Sequence, residues 1–183
     1  QWLAQYTEAP PPHDLRRQFL LGVLRAVARV HEFTLTHNDI KLDNILLTKF
    51  DRGGEAVLTD FEMCREDHGG SVSYESTGSH GTTVGETDDD YTGTRVGGTA
   101  AYMAPEHRRR GGVDPRTDQY SFCVSAWEVL HGSRPPEVAT ASELPGVVSA
   151  ALKKGLSERP LARHRSMDAV SKALRAGLAV SSI

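Results

Sequence analysis

Cysteine is scarce in this chain: two residues, Cys64 and Cys123, among 183. Neither sits in a Cys-x-x-Cys pair or beside a histidine cluster, so a disulfide framework and a zinc site are both excluded. A reduced, intracellular, cytoplasmic protein is expected. The eight histidines are scattered without ligand spacing, so no structural metal is expected. No apolar run reaches the roughly 18 residues that a membrane span needs. The opening QWLAQYTEAPPPHD lacks a basic start followed by an apolar core, which argues against a signal peptide. Net charge is only −3, and that balance argues against general nucleic-acid binding. Internal repeats are absent. The chain begins at Gln1 without a methionine, so a piece of a longer protein is expected.

What is present suits one domain, long enough to bury a substantial core. Charge is unevenly spread. From Glu66 to Thr94 there are seven acids (Glu66, Asp67, Glu75, Glu86, Asp88, Asp89, Asp90) and no Lys or Arg, while the last third is rich in Lys and Arg. Pro10, Pro11 and Pro12 end an irregular lead-in, and Asp14 can cap the helix that follows. Leu15, Phe19, Val23, Val27 and Val30 recur at helical spacing and predict an amphipathic helix over 14–33. Ile45–Thr48 and Ala56–Thr59 read as two strands of a hairpin, separated by KFDRGG. The stretch after it is rich in Gly, Ser and Thr and poor in aliphatic residues, which predicts a long flexible loop. DQYSFCVSAWEVLHG, 118–132, is apolar nearly all round and predicts a helix buried on every side, stopped by Gly132 and Pro135-Pro136. Two further helices are predicted over 145–156 and 166–178, the last capped by Ser166.

The chemistry gathers in THNDIKLDNILL, 36–47. The hairpin puts Asn44 just before one strand and Asp60 just after the other, and antiparallel neighbours lie about 4.8 Å apart. A carboxylate and an amide oxygen converging there form a hard-ligand set suited to Mg²⁺ carried on nucleotide phosphates. Asp39, on the loop upstream, could take a proton from a hydroxyl, and Lys41 could neutralise a phosphoryl group. By themselves these four residues leave open a solvated loop with a chance cluster of charge.

Five motifs in order go further. THNDIKLDNILL resembles the catalytic loop of the eukaryotic-type Ser/Thr protein kinases, TDFEMCR their metal-binding D-F-G segment, and GGTAAYMAPE the end of their activation segment. DQYSFCVSAWEVLHGSRP resembles the buried central helix of that family, and RPLARHRSM its closing motif. The resemblance implies an α+β, predominantly helical fold: a protein-kinase-like C-terminal lobe over 1–180 with a small β-hairpin and the N-lobe absent. It implies an activation segment over 60–106 with a flexible acidic insert at about 66–95. It also implies transfer of the γ-phosphate of Mg-ATP to protein Ser/Thr hydroxyls. Asp39 would be the catalytic base, Lys41 would steady the γ-phosphate, and Asn44 and Asp60 would hold Mg²⁺. His37 and Phe61 would pack together, Asp118 would accept hydrogen bonds from the catalytic-loop backbone, and Glu106 would pair with Arg163. Lys41 two residues after Asp39, and Thr99 in G-T-x-x-Y, are the Ser/Thr forms of the two motifs.

Three departures bear on activity. Asn38 stands where most members carry an Arg that meets a phosphate on the activation loop, so activity is expected not to depend on that contact. Glu62 stands where the family has Gly, which reaches positive φ that Glu adopts only at some cost. It could limit a flip between active and inactive states or add a charge near the metal, or be a tolerated substitution, the reading favoured because Asp60 is kept. No Gly-rich loop, V-A-I-K strand or Glu-bearing helix precedes Leu15, so this chain alone is expected to bind ATP weakly and transfer nothing. The alternative is a pseudokinase acting as a protein-binding scaffold. Arg108-Arg109-Arg110 could dock an acidic partner, or form ordinary surface.

Overall fold

In a computed structural model, the structure of the chain is described for residues 12–48, 55–66, 99–109, 111–135 and 146–180. The predicted insert, the hairpin loop, the proline-rich lead-in before Pro12, Arg110 and Pro136 lie outside these residues.

Helix α1 (His13–Glu32) buries Phe19, Leu20, Leu21, Val23, Leu24 and Val27 along one stripe, as the spacing predicts. Asp14 does not cap it. The helix opens at Pro12, whose carbonyl accepts the Arg16 N–H at 3.0 Å, and Asp14 falls inside the first turn, where its charge suits the helix dipole. Two short strands follow, β1 (Leu35–Thr36) and β2 (Ile45–Leu47), then β3 (Ala56–Leu58) and β4 (Arg65–Glu66). The predicted hairpin is β2–β3, antiparallel with Ile45 facing Leu58 and Leu47 facing Ala56. A second antiparallel pair, β1–β4, sets Leu35 against Glu66 and Thr36 against Arg65. Its two-residue strands are too short for any periodicity to reveal.

After a short helix α2 (Pro105–Arg108) the chain enters α3 (Pro115–His131), the central helix. Eleven of its residues are buried, from Thr117 to Val129, which matches the all-round apolar reading. It begins three residues before Asp118, because Asp114 caps it. The Asp114 side chain accepts from Arg116 N at 2.7 Å, the Thr117 hydroxyl accepts from Asp114 N, and Pro115 occupies the first turn, which needs no N–H. Gly132 ends it at φ 74°, donating its N–H to Glu128 O at 2.8 Å, the left-handed stop a glycine reaches without a Cβ clash.

Helices α4 (Gly146–Gly155) and α5 (Met167–Val180) pack on each other and against α3 and α1, respectively. Ser166 caps α5, its hydroxyl accepting from Ala169 N at 3.2 Å. At the α3–α4 contact Gly155 lies so close to Cys123 that a Cβ would sit 2.2 Å from its sulfur. One apolar cluster, from Phe19 of α1 through Phe122 and Trp127 of α3 to Leu174 of α5, ties the helices together. The β2–β3 hairpin rests on it through Ile45 and Leu58, and Ile40 and Leu42 hold the loop between β1 and β2 against it. Among the described residues no helix is long and apolar enough to cross a membrane.

Candidate active site

The loop from His37 to Asn44 is fixed from below by one carboxylate. Asp118, fully buried in the first turns of α3, accepts the His37 N–H at 2.8 Å and the Asn38 N–H at 2.7 Å. It accepts a third bond from His31 Nε2, also at 2.8 Å, at the end of α1. Three donors around one buried carboxylate satisfy what burial would otherwise penalise. The His31 bond spans 87 residues of sequence and had no signature in the motifs.

His37 is itself buried, its ring between two segments of the chain. Nδ1 accepts the Asp39 N–H at 3.3 Å, so the ring hydrogen sits on Nε2, which donates to Thr59 O at 3.1 Å. Its face meets Phe61 at a centroid distance of 4.8 Å, tilted by 56°. This imidazole therefore links the loop to the segment leaving β3.

Above that base, Asp39 Oδ2 accepts from two side chains at once: Lys41 Nζ at 2.7 Å and Asn44 Nδ2 at 2.9 Å. Asn44 Nδ2 also donates to Asp39 O at 2.9 Å, closing the loop on itself. A 3-10 turn over Leu42–Asn44 makes that return possible, and Asn44 O accepts the Thr59 N–H at 2.9 Å and the Thr59 hydroxyl. Thr59 precedes Asp60, so Asn44 and Asp60 are carried by adjoining ends of one hairpin. The Asp60 side chain is exposed and its backbone is left-handed, φ 64°. Cross-strand neighbours Leu46 and Val57 leave an exposed apolar surface beside these groups.

A second ion pair lies on the far side of α3. Arg163, with no side-chain exposure, grips Glu106 with two parallel bonds, NH1–Oε1 at 2.7 Å and NH2–Oε2 at 2.8 Å. Its Nε donates to Ser157 O and NH1 also to Arg116 O, both at 2.8 Å, and the guanidinium stacks over Tyr120 at 5.0 Å. The Thr117 hydroxyl adds a bond to Glu106 Oε1. Burial alone would raise the Glu106 pKa, but the Arg163 hydrogen bonds outweigh it and hold the carboxyl below its ordinary value. Thr99 opens a 3-10 turn over Thr99–Ala101, and its side chain lies outside the described groups.

The protein kinase domain model matches residues 3–167. The chain belongs to the protein kinase family. Serine/threonine-protein kinase PknL of Mycobacterium tuberculosis is 35% identical over 125 residues, covering 68% of this chain and 26% of that protein. A probable leucine-rich repeat receptor-like serine/threonine-protein kinase of Arabidopsis thaliana is 32% identical over 131 residues, covering 70% of this chain and 11% of that protein. The chain thus spans about a tenth to a quarter of these relatives. Among solved structures, the PknI kinase domain of Mycobacterium tuberculosis superposes with a TM-score of 0.66 at 22% identity, over 97% of this chain and 60% of that one. That likeness is one of fold.

Against the kinase pattern, two departures read differently in three dimensions. Glu62 is not at positive φ. The left-handed kink falls two residues earlier, at Asp60, which fits a tolerated substitution at Glu62. Asn38 is left-handed at φ 67° and buried, with its amide donating to Thr36 O at 3.2 Å and to Met63 O at 3.1 Å. His107 was also unread in the sequence. It lies half-buried next to Glu106, where burial first and the Arg65 cation second pull its pKa below the ordinary imidazole value.

Proposed function

We propose that residues 1–180 of this kinase-family chain are the C-terminal lobe of a Ser/Thr protein kinase catalytic domain, with an activation segment over 60–106. In a longer form, with an ATP-covering lobe, it would transfer the γ-phosphate of Mg-ATP to a Ser or Thr hydroxyl of a protein. The observation that carries this reading is the clamped Asp39: one carboxylate oxygen held by Lys41 and Asn44, on a loop anchored at Asp118.

In this reading Asp39 accepts the hydroxyl proton as the hydroxyl oxygen bonds to the γ-phosphorus and the bond to ADP breaks. Lys41 holds Oδ2 in place while its charge would lie beside the transferring group. Asn44 uses its amide nitrogen on Asp39, which leaves the amide oxygen to act with the exposed Asp60 carboxylate as a hard-oxygen pair. Such a pair fits Mg²⁺, which when bound with the nucleotide neutralises phosphate charge. The exposed Leu46–Val57 pair offers an apolar surface that a purine ring can cover.

The test is transfer from labelled Mg-ATP, by the longest native form of the protein, to matched peptides bearing Ser, Thr or Tyr. Labelled Ser and Thr are expected. Label on Tyr alone would contradict the acceptor class, and no label on any peptide would favour a pseudokinase scaffold.

A further inference from the structure

Asn38 is one of the positions where this chain departs from the kinase pattern, and its surroundings are specific. It stands two residues past Thr36, and Met63 stands two before Arg65, the residue Thr36 faces on β4, so Asn38 and Met63 continue the β1–β4 alignment by position. The Asn38 backbone cannot continue the pairing, because its N–H is taken by Asp118 at 2.7 Å and its φ is 67°. Its side chain makes the cross-link instead. Nδ2 bridges Thr36 O and Met63 O, and since both partners are carbonyl oxygens, the amide orientation is fixed. Asparagine is among the few residues that reach left-handed backbone at little cost, and its amide is short enough to turn back on the strand.

We propose that Asn38 is a positioning residue: its amide latches the segment after Asp60 to the catalytic loop and so sets the mutual placement of Asp39 and Asp60 without a charged group. This rests on the kinase reading above for its effect on rate, though not for the latch itself. Asp39 follows Asn38 directly, and Met63 lies three residues beyond Asp60, so releasing the amide frees both ends of the site together. The bridge is sensitive to loss of its donor, since the bond to Thr36 O is buried and the one to Met63 O part-buried.

Two variants of the longest native form test this. Asn38→Gly keeps the backbone conformation and removes the amide. Asn38→Asp keeps shape and backbone preference and sets an acceptor against two acceptors. In both, hydrogen exchange of the amides of 64–66 should accelerate about tenfold while those of α3 keep their rates. Peptide phosphorylation should show kcat reduced on the order of tenfold with the KM for ATP unchanged. Unchanged exchange at 64–66 in both variants would overturn the latch, as would equal acceleration throughout α3. Local acceleration with kcat unaltered would overturn the positioning role. If the unsubstituted protein transfers no phosphate, the kinase reading fails, and the exchange result still decides the latch.

Discussion

Replacing Arg163, which follows the 3-10 turn Pro160–Ala162 and packs against the start of α3, with alanine should cost a large share of the domain's stability. The guanidinium has no side-chain exposure and donates to both Glu106 oxygens, to Ser157 O and to Arg116 O. Its loss leaves the half-buried Glu106 carboxylate with the Thr117 hydroxyl and a backbone N–H, and takes a donor from the Ser157, Arg116 and Glu158 carbonyls. Breaking a buried pair from one side costs about 3–5 kcal/mol, against a total stability of about 5–15 kcal/mol for a domain. Urea unfolding followed by far-UV circular dichroism would read it as a fall in midpoint at constant slope. Arg163→Lys keeps the charge and loses the fork, so a loss of about 1.5–3 kcal/mol is expected. Acid adds an independent check. The Glu106 carboxyl lies below its ordinary value of 4.5 in the folded protein, so the unfolded chain binds the proton more readily. The pair's stabilisation is therefore complete above that ordinary value and is lost as pH falls through the lower folded one. Arg163→Ala should flatten this acid dependence. A cost under about 1 kcal/mol for Arg163→Ala would refute the argument, because it would place the pair among exposed ones.

Asp118→Ala leaves three donors, on His31, His37 and Asn38, without their shared acceptor; a loss of about 3 kcal/mol or more is expected in the same unfolding assay. Gly155→Ala forces a Cβ against the Cys123 sulfur and should cost about 1–3 kcal/mol. Combining it with Cys123→Ala should cost less than the two changes added, because the second removes the clashing atom. Thiol labelling at neutral pH should distinguish the cysteines. Cys123 is fully buried, with its pKa raised to about 12, and should react only on unfolding, while the less buried Cys64 reacts slowly in the native state.

Much of this architecture was legible because long elements leave long signals. The stripe from Phe19 to Val27 gave α1, and the apolar run ending at Gly132 gave α3. The Ile45–Leu47 and Ala56–Leu58 runs gave the hairpin. Asp114-Pro115 was a readable helix start that the apolar pattern, which begins later, obscured. The site's charged residues were legible as types at motif spacing, and the structure adds which atoms meet. Asp39 is held by both Lys41 and Asn44, a pairing that spacing did not dictate. What stayed hidden depends on contacts distant in sequence. The His31–Asp118 bond joins two helices, and the Asn38–Met63 bond needs the register of two strands too short to announce themselves. Glu62 fits the reading of a tolerated substitution: the left-handed backbone falls at Asp60, which the sequence pattern did not show.

The central claim is that Asp39 is the base of a phosphoryl transfer. Its most direct test compares the longest native form with its Asp39→Asn variant, measuring single-turnover transfer from saturating Mg-ATP beside equilibrium ATP binding. The account predicts transfer reduced on the order of 10²–10⁴-fold, the range of general-base catalysis, with ATP affinity unchanged. Transfer within twofold of the unsubstituted protein would contradict it.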